Sequence, residues 1–463
     1  MDRFALRYLD EWQTKASRKP LVLRGARQVG KSYLARAFAQ ARFKQILEVN
    51  FERRPEAASL FASKEPKTIC RLLEARFGTP LVPGTSLLFL DEIQAAPEVF
   101  AALRYFREEL PELHVLAAGS LLEFVLKEHA FSMPVGRVEY LHLGPMLFEE
   151  FLLAVGRGSL NDWLRQYRPG DETPTELHGE LSRLLRQYLV VGGMPEAVAA
   201  FAGNGSYLEC EQIQESVLAT YRDDFGKYAQ RVQQGRVEKV FARAPALVGR
   251  KFMYSHVDRE ERSRDLGEAL RLLLLARVLH KVPLTHANGV PLGAEADERN
   301  FKILFLDVGL LCRACGLRIS DLPEPADALL VNRGAVCEQA VGQHLLHAGP
   351  CYVEPAAFYW MREARGASAE VDFVAALGDH VVPIEVKAGK TGTLKSMHVF
   401  LGEKRRRFGV RLNLDRPSLL DAESCPAIGP KTRFRLLSLP LYMVGQIDRL
   451  CQIALENLPA PVG

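Results

Sequence analysis

Short apolar runs recur along the first third of the chain, at Leu21 to Leu23, "QILEVNF" (45–51), "SLLFLDE" (86–92) and "HVLAAGS" (114–120). Helical stretches separate them, and strands apolar on both faces that alternate with helices predict a parallel sheet covered on both sides. Residues 1–19 predict a helix leading into the first strand, and a helix from about Lys31 to Ala41 follows a Gly-rich turn. Loops bearing Gly and Asp at 156–174 predict the end of this core. Leu181, Leu184, Leu185, Tyr188 and Leu189 repeat at helical spacing, and Gly192-Gly193-Met194-Pro195 terminates that helix. Residues 206–315 read as mainly helical, with a helix in "RSRDLGEALRLLLLARVLHKV" and short strands in "VPLTH" and "FKILFL". Three small helices with a trailing hairpin would be a winged-helix arrangement, although periodicity alone supports only a small helical module. From about residue 325 the pattern becomes a helix (334–348), a hairpin (370–387) and a mixed tail. The expected organisation is a core with a helical lid over 1–205, the helical module over 206–315, and an α/β domain over 316–463.

The hairpin "EVDFVAALGDHVVPIEVKAG" (370–389) sets a physical problem. Val371, Phe373, Ala375 and Leu377 alternate with Glu370, Asp372, Val374 and Ala376, and Gly378-Asp379 suits a two-residue turn. With Leu377 facing His380, Asp372 falls opposite Glu385 and Glu370 opposite Lys387. Opposed residues stand about 5 Å apart at Cβ, and like charges there repel. A divalent cation held by Asp372 and Glu385 would remove the repulsion. The plainer alternative is a Glu370–Lys387 cross-strand ion pair, with Asp372 and Glu385 turned to solvent.

Composition changes this picture little. The 463 residues are 48% hydrophobic and 25% charged, with a net charge of +4, which is ordinary for a multidomain globular protein and too small to imply nucleic acid. No apolar run approaches the roughly 18 residues of a membrane span. The N-terminus carries acids and lacks an apolar core, so it does not read as a signal peptide. Eight scattered cysteines, with one CxxC at Cys312 and Cys315, read as reduced thiols of a cytoplasmic protein. The basic run Lys404-Arg405-Arg406-Arg407, with Arg411 nearby, is either a solvated helix face or a nucleic-acid contact.

"GARQVGKS" fills every fixed position of a phosphate-binding loop: Gly25, Ala26, Arg27, Gln28, Val29, Gly30, Lys31 and Ser32, with Tyr33 after it. The glycines let backbone N–H groups converge on phosphate oxygens, Lys31 neutralises the β- and γ-phosphates, and Ser32 offers a hydroxyl to Mg²⁺. A strand precedes the loop and a helix follows, as the chemistry requires. "LLFLDEIQ" carries Asp91 to the end of another strand, to hold Mg²⁺, with Glu92 next to polarise the attacking water. Ser120 ends a third strand, either to sense the γ-phosphate or simply to cap the strand. Arg137 precedes another strand, either as a surface arginine or as one that reaches a phosphate in cis or in trans.

On these motifs the chain resembles AAA-type P-loop ATPases, and most of all a large prokaryotic family whose ATPase core is joined to a C-terminal domain of unknown function. The similar passages also include "AAGSLLEFV", "GRVEYLHLGPMLFEEFL", "VVGGMPEAV", "FKILFLDVGLL" and "RGAVCEQAV", and together they span about residues 19 to 389. The resemblance implies ATP and Mg²⁺ at Gly25, Gly30, Lys31, Ser32 and Asp91, Glu92 as catalytic residue, Ser120 as sensor and Arg137 as arginine finger. It also implies a winged-helix module that contacts DNA. No second sensor arginine after the core is evident. The C-terminal segment is similar to restriction-endonuclease-like nucleases, with Asp372, Glu385 and Lys387 in their core pattern and Glu338 as the fourth member. That likeness implies a second Mg²⁺ or Mn²⁺ there. The leading expectation is therefore an ATPase whose nucleotide state controls a DNA-directed, nuclease-like domain, with self-association if Arg137 acts in trans. The alternative is a non-catalytic switch that binds DNA or a protein through a degenerate nuclease fold. A metabolite kinase would leave the C-terminal half unexplained.

Overall fold

The computed structural model describes residues 2–120, 122–124, 136–228, 231–318, 333–362, 368–389, 394–423 and 432–456. The expected change of pattern near residue 325 lies outside these residues. The chain divides into two compact units. The first comprises Met1–Pro145 with Leu272–Val278 and Gly349–Pro355, and the second comprises Met146–Arg271, Leu279–Ala348 and Ala356–Gly463. No helix of the described residues is long and apolar enough to cross a membrane.

In the first unit the expected strands form β1 (Leu21–Arg24), β2 (Gln45–Asn50), β3 (Ser86–Asp91), β4 (His114–Ala118) and β5 (Glu139–His142). They make one parallel sheet in the order β2-β3-β4-β1-β5. Every residue of β3 and β4 is buried, which is why both read as unbroken apolar runs. Helices Lys31–Arg42, Pro66–Phe77 and Pro97–Glu109 connect the strands. Leu34, Phe38, Leu73, Leu103 and Phe106 are buried from them. The compact unit closes at Pro145, earlier than the loops at 156–174, and Gly158–Gln166 within that stretch is helical.

The second unit holds helices Thr175–Val191, Pro195–Asn204, Tyr207–Tyr228 and Arg231–Leu247 and helix Ser263–Leu275 as far as Arg271, then strands β6 (Leu279–Thr285) and β7 (Ala296–Phe305). Helix Arg333–His347 leads to β8 (Phe358–Arg362), β9 (Ala369–Leu377) and β10 (His380–Val386). Helix Lys395–Glu403, β11 (Phe408–Asn413), β12 (Ser418–Glu423), β13 (Arg433–Pro440) and helix Ile447–Glu456 complete it. All eight strands lie in one sheet, ordered β12-β13-β11-β10-β9-β8-β6-β7. The β6–β7 hairpin, which the sequence suggests for a winged-helix module, is thus an edge of the same sheet as the C-terminal strands. It joins them through a parallel contact in register at one residue pair, Leu284 with Tyr359.

One buried carboxylate organises this unit. Asp307 is fully buried where β7 ends, and it caps helix Val308–Ala314 by accepting the N–H groups of Gly309 at 3.0 Å and Leu310 at 3.1 Å. It also accepts the N–H of Gly193 at 2.6 Å and the Gln343 side-chain amide at 3.2 Å. Glycine at 192, after helix Thr175–Val191, is required by this contact, whereas a Cβ on Gly193 would meet the Met146 carbonyl oxygen at 2.0 Å. Gly192 has φ 77°, and a Cβ there would meet the Asp307 carboxylate at 2.1 Å. Burial pushes the Asp307 carboxyl above its usual range, against the hydrogen bonds that hold it down.

Asp307→Ala would leave three buried backbone donors without this acceptor, while Gln343 keeps the Tyr188 hydroxyl, and a buried donor left unsatisfied costs about 1–3 kcal/mol. The expected loss of stability is at least about 3 kcal/mol in denaturant unfolding. A loss under about 1 kcal/mol would show that water replaces the carboxylate.

Candidate functional site

Because the first sheet is parallel, the C-terminal ends of β1, β3 and β4 share one edge, where open α/β sheets bind ligands. The loop Gly25–Ser32 leaves β1 there, with Gly25 (φ 154°), Gln28 (φ 63°) and Gly30 (φ 92°) all at positive φ. A Cβ on Gly25 would sit 2.2 Å from the Leu143 carbonyl oxygen, so this position admits only glycine. Lys31, 7% exposed, donates to the Gly25 and Ala26 carbonyls at 2.9 and 2.7 Å. Burial brings its ammonium down to about 8, with partial compensation from Glu92 and Asp91. Tyr33 is exposed at the surface.

Ser32 Oγ donates to Asp91 Oδ1 at 2.9 Å, and Asn50 donates to Asp91 Oδ2 at 3.2 Å. Desolvation raises the Asp91 carboxyl above its ordinary value. Glu92 sits at φ 51°, a left-handed conformation uncommon outside glycine and frequent at functional sites. Its Oε2 accepts Gln94 Nε2 at 2.6 Å and Ser120 Oγ at 3.3 Å, and Arg27 Nε donates to Ser120 Oγ at 3.1 Å. The fold therefore brings Ser32 to Asp91, and Ser120 to Glu92 and Arg27. It does not bring Arg137 to them by any recorded contact: Arg137, half exposed, pairs with Glu108 at 2.8 Å. Gln94 and Arg277 are missed by the sequence reading. Arg277 donates to Glu123 at 3.0 Å beside Arg24, and its charge reaches Lys31. Its only signal is a cation just after an apolar helix, a common pattern.

A second cluster lies in the other unit. The hairpin forms with the expected turn, Leu377 facing His380, and the ladder runs back to Phe373 with Ile384. On its other edge β10 pairs β11 in parallel, Ile384 with Val410, Glu385 with Arg411 and Val386 with Leu412. Asp372 Oδ2 accepts the Val386 N–H at 2.7 Å. The Glu370–Lys387 pair of the plainer alternative does not form. Lys387 binds Glu385 instead, and Glu370 binds Lys302 of β7 at 2.5 Å.

Lys302 is the residue the sequence reading missed. It is 2% exposed, and its ammonium lies 2.9 Å from Glu338, 2.5 Å from Glu370 and 4.0 Å from Asp372, with the Tyr359 ring at 5.3 Å. The signal was present, since a lysine inside the apolar run "NFKILFL" is costly unless paired. Gly249, at φ 77°, lets the backbone approach Glu338, whose Oε2 a Cβ would meet at 2.9 Å. Desolvation raises the carboxyls of Glu338 and Glu385 to about 7 and lifts Asp372 as well, while the carboxylates together push Lys302 up despite its burial. Glu385 Oε2 is buried without a hydrogen-bond partner. Among the described residues no three acidic, His or Cys side chains are arranged to hold a metal ion. In the basic run, Lys404 and Arg406 are turned onto Asn288, at 2.8 and 2.6 Å.

Residues 17–152 match the family described as AAA domain, so this part of the chain is an AAA-type P-loop ATPase domain. Residues 182–321 and 333–417 match two domains of unknown function (DUF8612 and DUF4143). No curated protein matches the chain. Among solved structures it is similar to the Walker-type ATPase PABY2304 of Pyrococcus abyssi, with 17% identity over 68% of this chain and 95% of that one, and a TM-score of 0.43. It is also similar to the ORC2 protein of Aeropyrum pernix, with 14% identity over 60% and 86% of the two chains and a TM-score of 0.35.

The depressed Lys31 has a consequence for pH. The free protein loses this charge as pH rises through about 8, whereas a bound triphosphate favours the ammonium. ATP affinity is therefore expected to fall roughly tenfold between pH 7.5 and 9.5 in a fluorescent-nucleotide titration. Lys31→Arg, ionised throughout, should flatten the slope. An equal slope in both proteins would remove Lys31 as its source.

Proposed function

We propose that the AAA-type domain binds and hydrolyses ATP, and that its nucleotide state controls a nuclease-like, DNA-directed C-terminal domain. The observation that carries the first part is the 2.9 Å Ser32–Asp91 bond beside Lys31. A hydroxyl, a carboxylate and an ammonium gathered at one sheet edge are the donor set for a triphosphate with Mg²⁺. The backbone from Gly25 to Ser32 would receive the phosphates, and Lys31 would turn from the Gly25 and Ala26 carbonyls to their oxygens. Ser32 and Asp91 would hold Mg²⁺, which when bound supplies charge neutralisation. The fit is supported by Asp91 itself, a buried carboxylate that a cation would stabilise. Glu92 would take the proton of the attacking water once released from Gln94 and Ser120, and Ser120 would report the γ-phosphate. Arg137, exposed, would serve a neighbouring copy as arginine finger.

For the C-terminal domain, the grouping of Asp372, Glu385 and Lys387 supports phosphodiester chemistry. Asp372 and Glu385 would hold a Mg²⁺ or Mn²⁺ ion, which when bound polarises the phosphodiester. The unpartnered Glu385 Oε2 fits a cation ligand, whereas Glu338, tied to Lys302, fits less well. Lys387 would steady the charge that develops on the phosphate. Helices Arg231–Leu247, Tyr254–Val257 and Ser263–Leu275 followed by the β6–β7 hairpin support a winged-helix-like, DNA-contacting module. A second reading, a non-catalytic switch that binds DNA or a protein partner, is favoured by Lys302, which already balances much of the acidic cluster.

Glu92→Gln is expected to lower ATP turnover by about 10²–10⁴-fold while leaving nucleotide binding nearly intact, read by phosphate release and nucleotide titration. Turnover retained within tenfold would take Glu92 out of the chemistry. For the C-terminal domain, wild type and Asp372→Ala should be compared on single-stranded, duplex and branched DNA and RNA, with Mg²⁺ or Mn²⁺, with and without ATP. Cleavage lost in the variant is the expected outcome. No cleavage alongside intact ATP hydrolysis would favour the switch.

A further inference from the structure

In the second unit, Glu338 from helix Arg333–His347, Glu370 and Asp372 from β9, and Glu385 from β10 form one acidic group. Nothing in the comparisons assigns a role to Lys302, yet its ammonium stands where three of these carboxylates meet. It is fully sequestered, and it reaches them from β7, on the far side of β6 and β8 in the sheet order. Lys387 engages Glu385 at one oxygen and leaves the other, Oε2, without a partner. Four carboxylates are thus set against two ammoniums, and the ammoniums are not equivalent. Lys302 pairs closely with Glu338 and Glu370, while it stands 4.0 Å from Asp372, whose Oδ2 accepts the Val386 N–H at 2.7 Å, and it leaves Glu385 Oε2 without a partner.

We infer that Lys302 is a resident cation that neutralises Glu338 and Glu370 and limits the cluster to a two-carboxylate divalent site at Asp372 and Glu385. The assignment rests on the reading of Asp372 and Glu385 as cation ligands. It makes Lys302 a positioning residue that sets how many oxygens a cation can gather. Divalent ions of this kind seek six or more oxygen ligands, and affinity rises with the number and charge of those the protein supplies. A lysine that withholds two carboxylates therefore keeps the site weak, and it lets the unit fold without any ion.

The test is Mn²⁺ binding to the full chain without nucleotide, followed by paramagnetic resonance and by thermal unfolding, which need no cleavage activity. Wild type should stay folded in chelator and gain only a small rise in unfolding temperature with Mn²⁺. Lys302→Met should bind one Mn²⁺ about tenfold or more tighter than wild type and should be stabilised by the ion. The gain should vanish when Glu338→Gln is added to Lys302→Met, and when Asp372→Asn is added. A folded Lys302→Met that binds Mn²⁺ no tighter than wild type would overturn the inference, as would a wild type that unfolds on chelation. If Lys302→Met is unfolded in chelator, recovery of its fold in Mn²⁺ supports the inference, and failure in both conditions overturns it. Absence of phosphodiester cleavage by wild type would sink the nuclease reading and leave this comparison intact.

Discussion

The second unit depends on the Asp307 carboxylate. It is fully buried, and it receives backbone N–H groups from Gly193, Gly309 and Leu310 together with the side-chain amide of Gln343. Three elements are fixed to one another through it: the end of helix Thr175–Val191, the exit from β7, and helix Arg333–His347. A buried charge of this kind tolerates little displacement, because each donor removed exposes its desolvation cost. Helix Arg333–His347 is held in the same register by Gln339, which donates to and accepts from the backbone of Phe305. Gly342 lets that helix close on β7, where a Cβ would meet Leu304 at 2.4 Å. Lys302 and Glu338 face each other because these contacts leave the helix one position on the strand.

The two buried lysines show how environment decides what one residue type can do. Lys31 is buried with only carbonyl oxygens for close partners, and desolvation brings its ammonium down to about 8. Lys302 is surrounded by carboxylates, so its charge is locked in place. The first suits a group that gains a partner when phosphate arrives. The second suits a permanent component of the fold.

Local pattern made much of the first unit readable in advance. Buried parallel strands leave continuous apolar runs, and the phosphate loop demands glycine where Gly25 meets the Leu143 carbonyl. The turn at Gly378-Asp379 was equally legible, since two-residue hairpins have strict requirements. Beyond Ile384 the hairpin rule did not foresee the neighbours supplied by other strands: β10 lies between β9 and β11, and past the last ladder pair Asp372 accepts the Val386 N–H. Glu370 consequently meets Lys302, from a strand almost 70 residues earlier, and not Lys387. The membership of β6 and β7 in the C-terminal sheet was hidden likewise, because it rests on one pairing between residues 75 positions apart, Leu284 and Tyr359. Around Glu92, the positions of Gln94 and Arg27 follow from the turn after β3 and the path of the phosphate loop, which side-chain chemistry alone does not specify.

That single pairing has a consequence for how the molecule opens. An eight-stranded sheet would ordinarily exchange its central amides as one cooperative block, but here the ladder thins to one step between β6 and β8. The seam is crossed by the Lys302 side chain, which ties β7 to carboxylates on β9. A clasp of charge thus stands in for a missing run of backbone bonds. A sheet joined in this way is expected to lose amide protection as two blocks that meet along this line, with the Lys302 ion pair bridging them.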